Sequence, residues 1–247
     1  SEEWRTMKKG IFEYIQEITG NIENQKIECI QKGGRKFNYD FDFVINDNET
    51  KMIEFKFNAE TISDVPQFVS PMKPSKFLSM NFEEWYYDNY LTQISTEFSI
   101  PMPIKEEYLK QIHNPSPKCM TDYQQKYYAG CKNSSQYDKT HENINFHLYA
   151  KNKSKEALTE FIEKSDLDIE KMSEYLMNSQ KGKVYMLYKN KKFHSQIVDV
   201  NNYKIVDYQK DPEKNTYIAT LQNGKKIKIL LRWKNGNGIA FPAFQIS

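Results

Sequence analysis

Residues 36–58, KFNYDFDFVI then NDNET then KMIEFKFN, constrain what this chain can fold into more than any other stretch. Two runs of alternating apolar and polar residues flank a polar cluster, which predicts a β-hairpin. Side chains along a strand point alternately to opposite faces. Phe41, Phe43 and Ile45 therefore share one face of the first strand, and Asp40, Asp42 and Val44 share the other. On the second strand Ile53, Phe55 and Phe57 take one face, and Met52, Glu54 and Lys56 the opposite one. The hairpin thus offers an apolar side to a core and gathers carboxylates and an ammonium on its other side. Charges withdrawn from water are costly unless they are paired or hold a metal ion. The bland account is a solvated strand face whose cross-strand ion pairs contribute about 0.2–1 kcal/mol each.

Asp42 on one strand and Glu54-Phe55-Lys56 on the next resemble the signature of the PD-(D/E)XK nuclease superfamily. The departure is that Tyr39 or Phe41, rather than Pro, precedes the candidate aspartates. The resemblance covers residues 3–58, with 81–98 and 183–200 added by order of elements. It implies a restriction-endonuclease-like α/β fold, in which a mixed sheet is flanked by helices. It also implies a Mg²⁺-dependent phosphodiesterase centre, with Mn²⁺ expected to substitute. Asp42 and Glu54 would hold the ion, Asp40 or Glu13 would complete the site, and Lys56 would assist the attacking water. Hard ions of this type take carboxylate, water and phosphate oxygens. The substrate implied is DNA rather than RNA, and the resemblance leaves room for a homodimer. The alternative is a non-catalytic nucleic-acid-binding or protein-interaction module that keeps the same fold.

Along the chain, Trp4, Met7, Ile11, Ile15 and Ile18 recur at a helical spacing, and Gly20 stands just beyond as a stop signal, so 3–19 is expected to be a helix. Glu13 and Glu17 lie one turn apart on it. A short strand at 26–30 and a turn at Gly33-Gly34 lead into the hairpin. Beyond Asn58, Pro66, Pro71 and Pro74 rule out a continuous helix. Asn81, with Glu84 three residues on, caps an expected aromatic helix that runs to Phe98. Residues 99–153 read as a polar, loop-rich insertion. Helices are expected over 154–180, broken near Asp166-Leu167-Asp168. A second hairpin spans 184–200, with Lys189, Lys191 and Lys192 crowding its tip. The remainder, 217–246, reads as an antiparallel meander in which Arg232, Trp233 and Lys234 precede the Asn235-Gly236-Asn237-Gly238 turn. Lys189, Lys191, Lys192, Arg232 and Lys234 are the candidates for contact with nucleic-acid backbone. The whole is expected to be a single domain over 1–247, with a core at about 3–98 and 183–247 and an insertion at about 99–182.

A net charge of only +2 argues against a uniformly basic nucleic-acid coat and leaves a local groove as the expectation. With 38% hydrophobic residues but 17 Tyr and 15 Phe, much of the core must be aromatic. No apolar run approaches a membrane span, and three widely spaced cysteines suggest free thiols, so an intracellular, soluble protein of cytoplasm or nucleus is expected. His113, Cys119, Cys131 and His141 lack the close-spaced pairs of a structural zinc site.

Overall fold

The apolar stripe of the first helix decides where the first layer of the fold forms. Helix α1 (Glu2–Thr19) places Ile11, Tyr14, Ile15 and Ile18 against Phe43, Ile53, Phe55, Met186 and Phe193 of a sheet. The computed structural model describes residues 2–20, 25–33, 37–62, 73–114, 118, 120–234 and 241–247. The expected features at Gly34, Pro66, Pro71, Cys119 and Asn235–Gly238 lie outside these residues.

The sheet beneath α1 has five strands in the order β1 (Ile27–Gln31), β2 (Phe41–Ile45), β3 (Glu49–Phe57), β4 (Lys183–Lys189) and β5 (Lys192–Ile197). Strands β1, β2 and β3 run antiparallel in succession, β4 lies parallel to β3, and β5 returns antiparallel to β4. Tight turns join β2 to β3 and β4 to β5. Asn46 and Asp47, between β2 and β3, both have left-handed backbone (φ 51° and 60°), as do Asn190 and Lys191 between β4 and β5 (φ 52° and 63°). That conformation matches strand twist and suits Asn and Asp better than β-branched residues. A parallel pair cannot be closed by a hairpin, so residues 58–182 all intervene between β3 and β4. The result is an α/β fold with a mixed sheet flanked by helices and a C-terminal antiparallel sheet.

The chain divides into two compact units, Ser1–Val69 with Glu174–Lys204, and Ser70–Ser173 with Ile205–Ser247. Residues 73–98 thus group with the second unit. There Phe82, on α2 (Phe82–Tyr86), meets Phe161 at 4.9 Å and Trp233 at 5.5 Å between ring centroids. Asn81 caps α2 by accepting from the Glu84 backbone N–H (3.2 Å). A π-helical turn, Tyr87–Leu91, joins α2 to α3 (Thr92–Glu97). The second unit's own sheet runs β6 (Ile205–Asp211), β7 (Thr216–Leu221), β8 (Lys226–Trp233) and β9 (Pro242–Ile246), all antiparallel neighbours in sequence order.

The stretch 99–153 is more helical than its sequence suggests. It forms α4 (Lys105–Gln111), α5 (Asp122–Ala129) and the opening of α6 (His141–Lys164). Thr121 and Gln124 make a reciprocal capping box at the start of α5. Helix α6 ends at Lys164 and α7 (Ile169–Gln180) comes next, with the break where the Asp166–Asp168 segment places it.

Candidate active site

Strand pairing fixes which charged residues meet. Asp42 pairs with Ile30 of β1 and with Met52 of β3, which sets it diagonally across from Glu54. Met52, Glu54 and Lys56 pair in turn with Lys183, Tyr185 and Leu187 of β4. Paired residues project to the same face, so Asp42, Glu54, Lys56 and Lys183 share one side of the sheet. The other side carries Phe43, Ile53 and Met186 beneath α1. Lys32, just past β1, bonds through its backbone N–H to the Asp40 carbonyl (2.8 Å) and joins the charged face at its edge.

This face is largely shielded from water. Asp42 is 7% exposed, Glu54 2% and Lys183 3%. Each carboxylate has a cation beside it. Lys32 Nζ lies 3.1 Å from Asp42 Oδ2, Lys56 Nζ donates to Glu54 Oε1, and Lys183 Nζ stands 3.7 Å from Glu54 Oε2. Burial pulls the Lys183 ammonium below the ordinary lysine range, the Glu54 carboxylate opposes that pull, Lys56 adds to it, and the Asp40 carboxylate also opposes it. Burial, a side-chain hydrogen bond to Asp42 and that carboxylate's charge all raise the Tyr39 phenol. Among the described residues, Asp42 Oδ1 is buried and has no hydrogen-bond partner. Such an orphaned acceptor carries the full cost of its lost hydration.

Of the other residues singled out by sequence, Asp40 stays within electrostatic reach of Lys183, and the rest lie in different surroundings. Asp40 turns its carboxylate to the backbone, where Oδ2 accepts from the Phe55 N–H (2.9 Å) and closes the start of the β2–β3 ladder. Glu13 is not brought into the cluster. It sits on α1, over the opposite face of the sheet, with its side chain 60% exposed and 3.6 Å from Lys9. It points outward because the inward stripe of α1 is filled by Ile11, Tyr14, Ile15 and Ile18. Lys189 pairs with Glu60 (2.7 Å), while Lys191 and Lys192 are exposed at the β4–β5 turn. Arg232 and Lys234 belong to the second unit, flanking Trp233, which is 5% exposed and packs on Phe82 and Tyr86. Motif and periodicity did not single out Lys183 or Lys32. Lys183 had a signal: it shares strand parity with Tyr185 and Leu187 in an otherwise apolar run.

Among the described residues, no group of three or more His, Cys, Asp or Glu side chains is placed to hold a metal ion. The charged face offers two carboxylates, Asp42 and Glu54, all-oxygen donors of the kind hard cations take. Mg²⁺ commonly uses one or two protein carboxylates and completes its shell with water and substrate phosphate. The donor set therefore fits such an ion, with Asp42 Oδ1, which has no hydrogen-bond partner among the described residues, as the available oxygen. Two cysteines of the described residues, Cys29 and Cys131, are free thiols. No helix among the described residues is long and apolar enough to cross a membrane. No family model, curated protein or solved structure matches the chain.

Proposed function

We propose that this chain is a Mg²⁺-dependent endonuclease that hydrolyses DNA phosphodiester bonds at the charged face of its five-stranded sheet. The observation that carries the reading is the buried Asp42 Oδ1, without a hydrogen-bond partner among the described residues, diagonal in register to Glu54, which Lys56 pairs on the adjoining strand. A shielded carboxylate oxygen without a donor is a standing cost that a bound cation would remove. The order of elements supports the same reading: one helix, three antiparallel strands, then, after the helices α2 to α7, a strand parallel to the third. That order agrees with the resemblance to the PD-(D/E)XK superfamily carried by Asp42, Glu54 and Lys56.

In this reading Asp42 and Glu54 would hold the ion. When bound, Mg²⁺ supplies positive charge that stabilises the developing phosphate charge and makes water a better nucleophile. Lys56 orients that water and donates to the anionic transition state, which requires it to swing from Glu54 toward the substrate. Asp40 holds the ladder through the Phe55 N–H and keeps Glu54 and Lys56 in register. The exposed Lys191 and Lys192 serve as backbone contacts for DNA outside the reacting phosphate.

The pairing of both carboxylates with lysines favours a second reading, a binding module of the same fold that needs no ion. A plasmid-nicking assay separates the two. Wild type and Glu54→Gln are incubated with supercoiled DNA in Mg²⁺, Mn²⁺ and EDTA. Metal-dependent nicking by wild type alone is expected. Equal nicking by both proteins would remove Glu54 from the chemistry. DNA binding without metal uptake or cleavage would establish the module.

A further inference from the structure

We propose that Lys183 is a positioning cation of this site that serves the anionic transition state at the expense of metal affinity. The inference rests on the nuclease reading and deepens it. A lysine head is rarely buried, because an ammonium loses several kcal/mol of hydration on leaving water. Lys183 is nevertheless 3% exposed, at the first position of β4, directly across from Met52 and one step from Glu54. The core gains nothing from a charge here. Val184, Tyr185, Met186 and Leu187 supply the packing of the strand, and an apolar residue at 183 would bury more favourably.

What Lys183 does have is a charged neighbourhood. Its Nζ stands 3.7 Å from Glu54 Oε2, while Oε1 of the same carboxylate is taken by Lys56. At 3.7 Å the contact is beyond a good hydrogen bond, so Lys183 acts on Glu54 through its field and only weakly through geometry. The surrounding wall is held in place. Tyr185 donates to Gln180 Oε1 (2.6 Å), and Asn38 Nδ2 donates to the Ser179 carbonyl (2.8 Å). A fixed, water-shielded positive charge beside a metal ligand has two effects of opposite sign. It repels a divalent cation that binds Glu54, and it attracts the extra negative charge that develops on a phosphodiester under attack. Lys56 is placed to leave Glu54 for the substrate. Lys183, buried on the β4 side, is placed to stay.

The test compares wild type, Lys183→Met and Lys183→Arg, all as the full chain, in two assays. Calorimetric titration with Mn²⁺ alone reads metal affinity, and nicking of supercoiled plasmid at saturating Mn²⁺ reads the rate. Lys183→Met should bind Mn²⁺ more tightly, by roughly three- to tenfold, and cleave more slowly, by roughly ten- to a hundredfold. Lys183→Arg, which keeps the charge, should retain wild-type metal affinity. A merely structural role would move both readouts of Lys183→Met downward, and that result would overturn the proposal. Unchanged Mn²⁺ affinity in Lys183→Met would overturn it equally. Circular dichroism monitors folding, and Lys183→Gln carries the same comparison if the Met variant does not fold. Failure of the nuclease reading is a separate outcome, because wild type itself would then neither take up Mn²⁺ nor nick DNA.

Discussion

Asp42 and Asp40 are two residues apart and project to the same face, yet they have different work. Asp40 spends an oxygen on the Phe55 N–H, whereas Asp42, beside Lys32, keeps Oδ1 buried with no hydrogen-bond partner among the described residues. Asp42→Asn should therefore abolish metal-dependent nicking with the fold retained. Asp40→Asn, whose amide oxygen can still accept from Phe55, should lose far less activity. The nicking assay with both variants checks this, and equal loss would mean that the pair acts as a unit. Lys56 is expected to be needed for the rate more than for binding. Lys56→Ala should slow cleavage by about 10²–10³-fold, the range for removing one donor aimed at developing charge. Single-turnover cleavage and an electrophoretic shift read the two properties apart, and a loss of DNA binding alone would make Lys56 a phosphate anchor.

Among the elements, the junction between α7 and β4 sets where Lys183 and Tyr185 enter the site. Gly182 ends the helix with φ +76°, and a Cβ there would meet Met52 Cε at 2.9 Å. Left-handed backbone costs an L-residue about 1 kcal/mol before any clash is counted. Gly182→Ala should lower stability by about 1–2 kcal/mol in urea unfolding and disturb activity through the Met52–Lys183 pair. In the second unit, α6 carries a pH-sensitive position. His147 lies against the Tyr127 ring (4.7 Å between centroids), and its pKa is pulled below 6.5 by burial and then by Lys151, against a backbone hydrogen bond at Tyr127. The folded state thus binds this proton less readily than the unfolded state does. His147 imposes no penalty well above pH 6.5, and stability falls as pH drops below that value. Urea midpoints at about pH 7.5 and about pH 5, on either side of that value, should differ less in His147→Phe than in wild type. An identical pH slope in both proteins would refute the assignment.

For the whole molecule, metal uptake by the charged face should register as stability, because a ligand that binds only the native state shifts unfolding by mass action. Mg²⁺ or Mn²⁺ at a hundredfold excess over its dissociation constant would add about 2.7 kcal/mol. A thermal melt should show that shift in wild type, its loss on adding EDTA, and its absence in Asp42→Asn. A shift that survives Asp42→Asn would place the ion elsewhere. The division of the chain into two units matters to the DNA reading as well. The cations at the β4–β5 turn belong to one unit, and Arg232 and Lys234 to the other. Substituting Lys191 and Lys192 together therefore tests one candidate DNA contact surface independently of the second.

Much of the first sheet was legible because its signals are local. Alternation with a period of two comes from backbone geometry, so the sequence alone determined that Asp42, Glu54 and Lys56 lie opposite the faces of Phe43 and Ile53. The same holds for the β4–β5 hairpin, whose turn residues are written at Asn190 and Lys191, and for the break between α6 and α7. The helices α4 and α5 were obscured because their tyrosines and lysines blur the apolar stripe. Strand β6 was missed because only Ile205 in it is buried. What only the tertiary structure decided is non-local. The register set Asp42 opposite Met52, the helix stripe chose the face that α1 covers and so turned Glu13 outward, and the parallel β3–β4 pairing brought Lys183 to Glu54. Periodicity assigns a side chain to a face of its own strand, but only closing the chain over the residues from 58 to 182 selects its neighbour. That choice is governed by packing of the whole and not by any local preference.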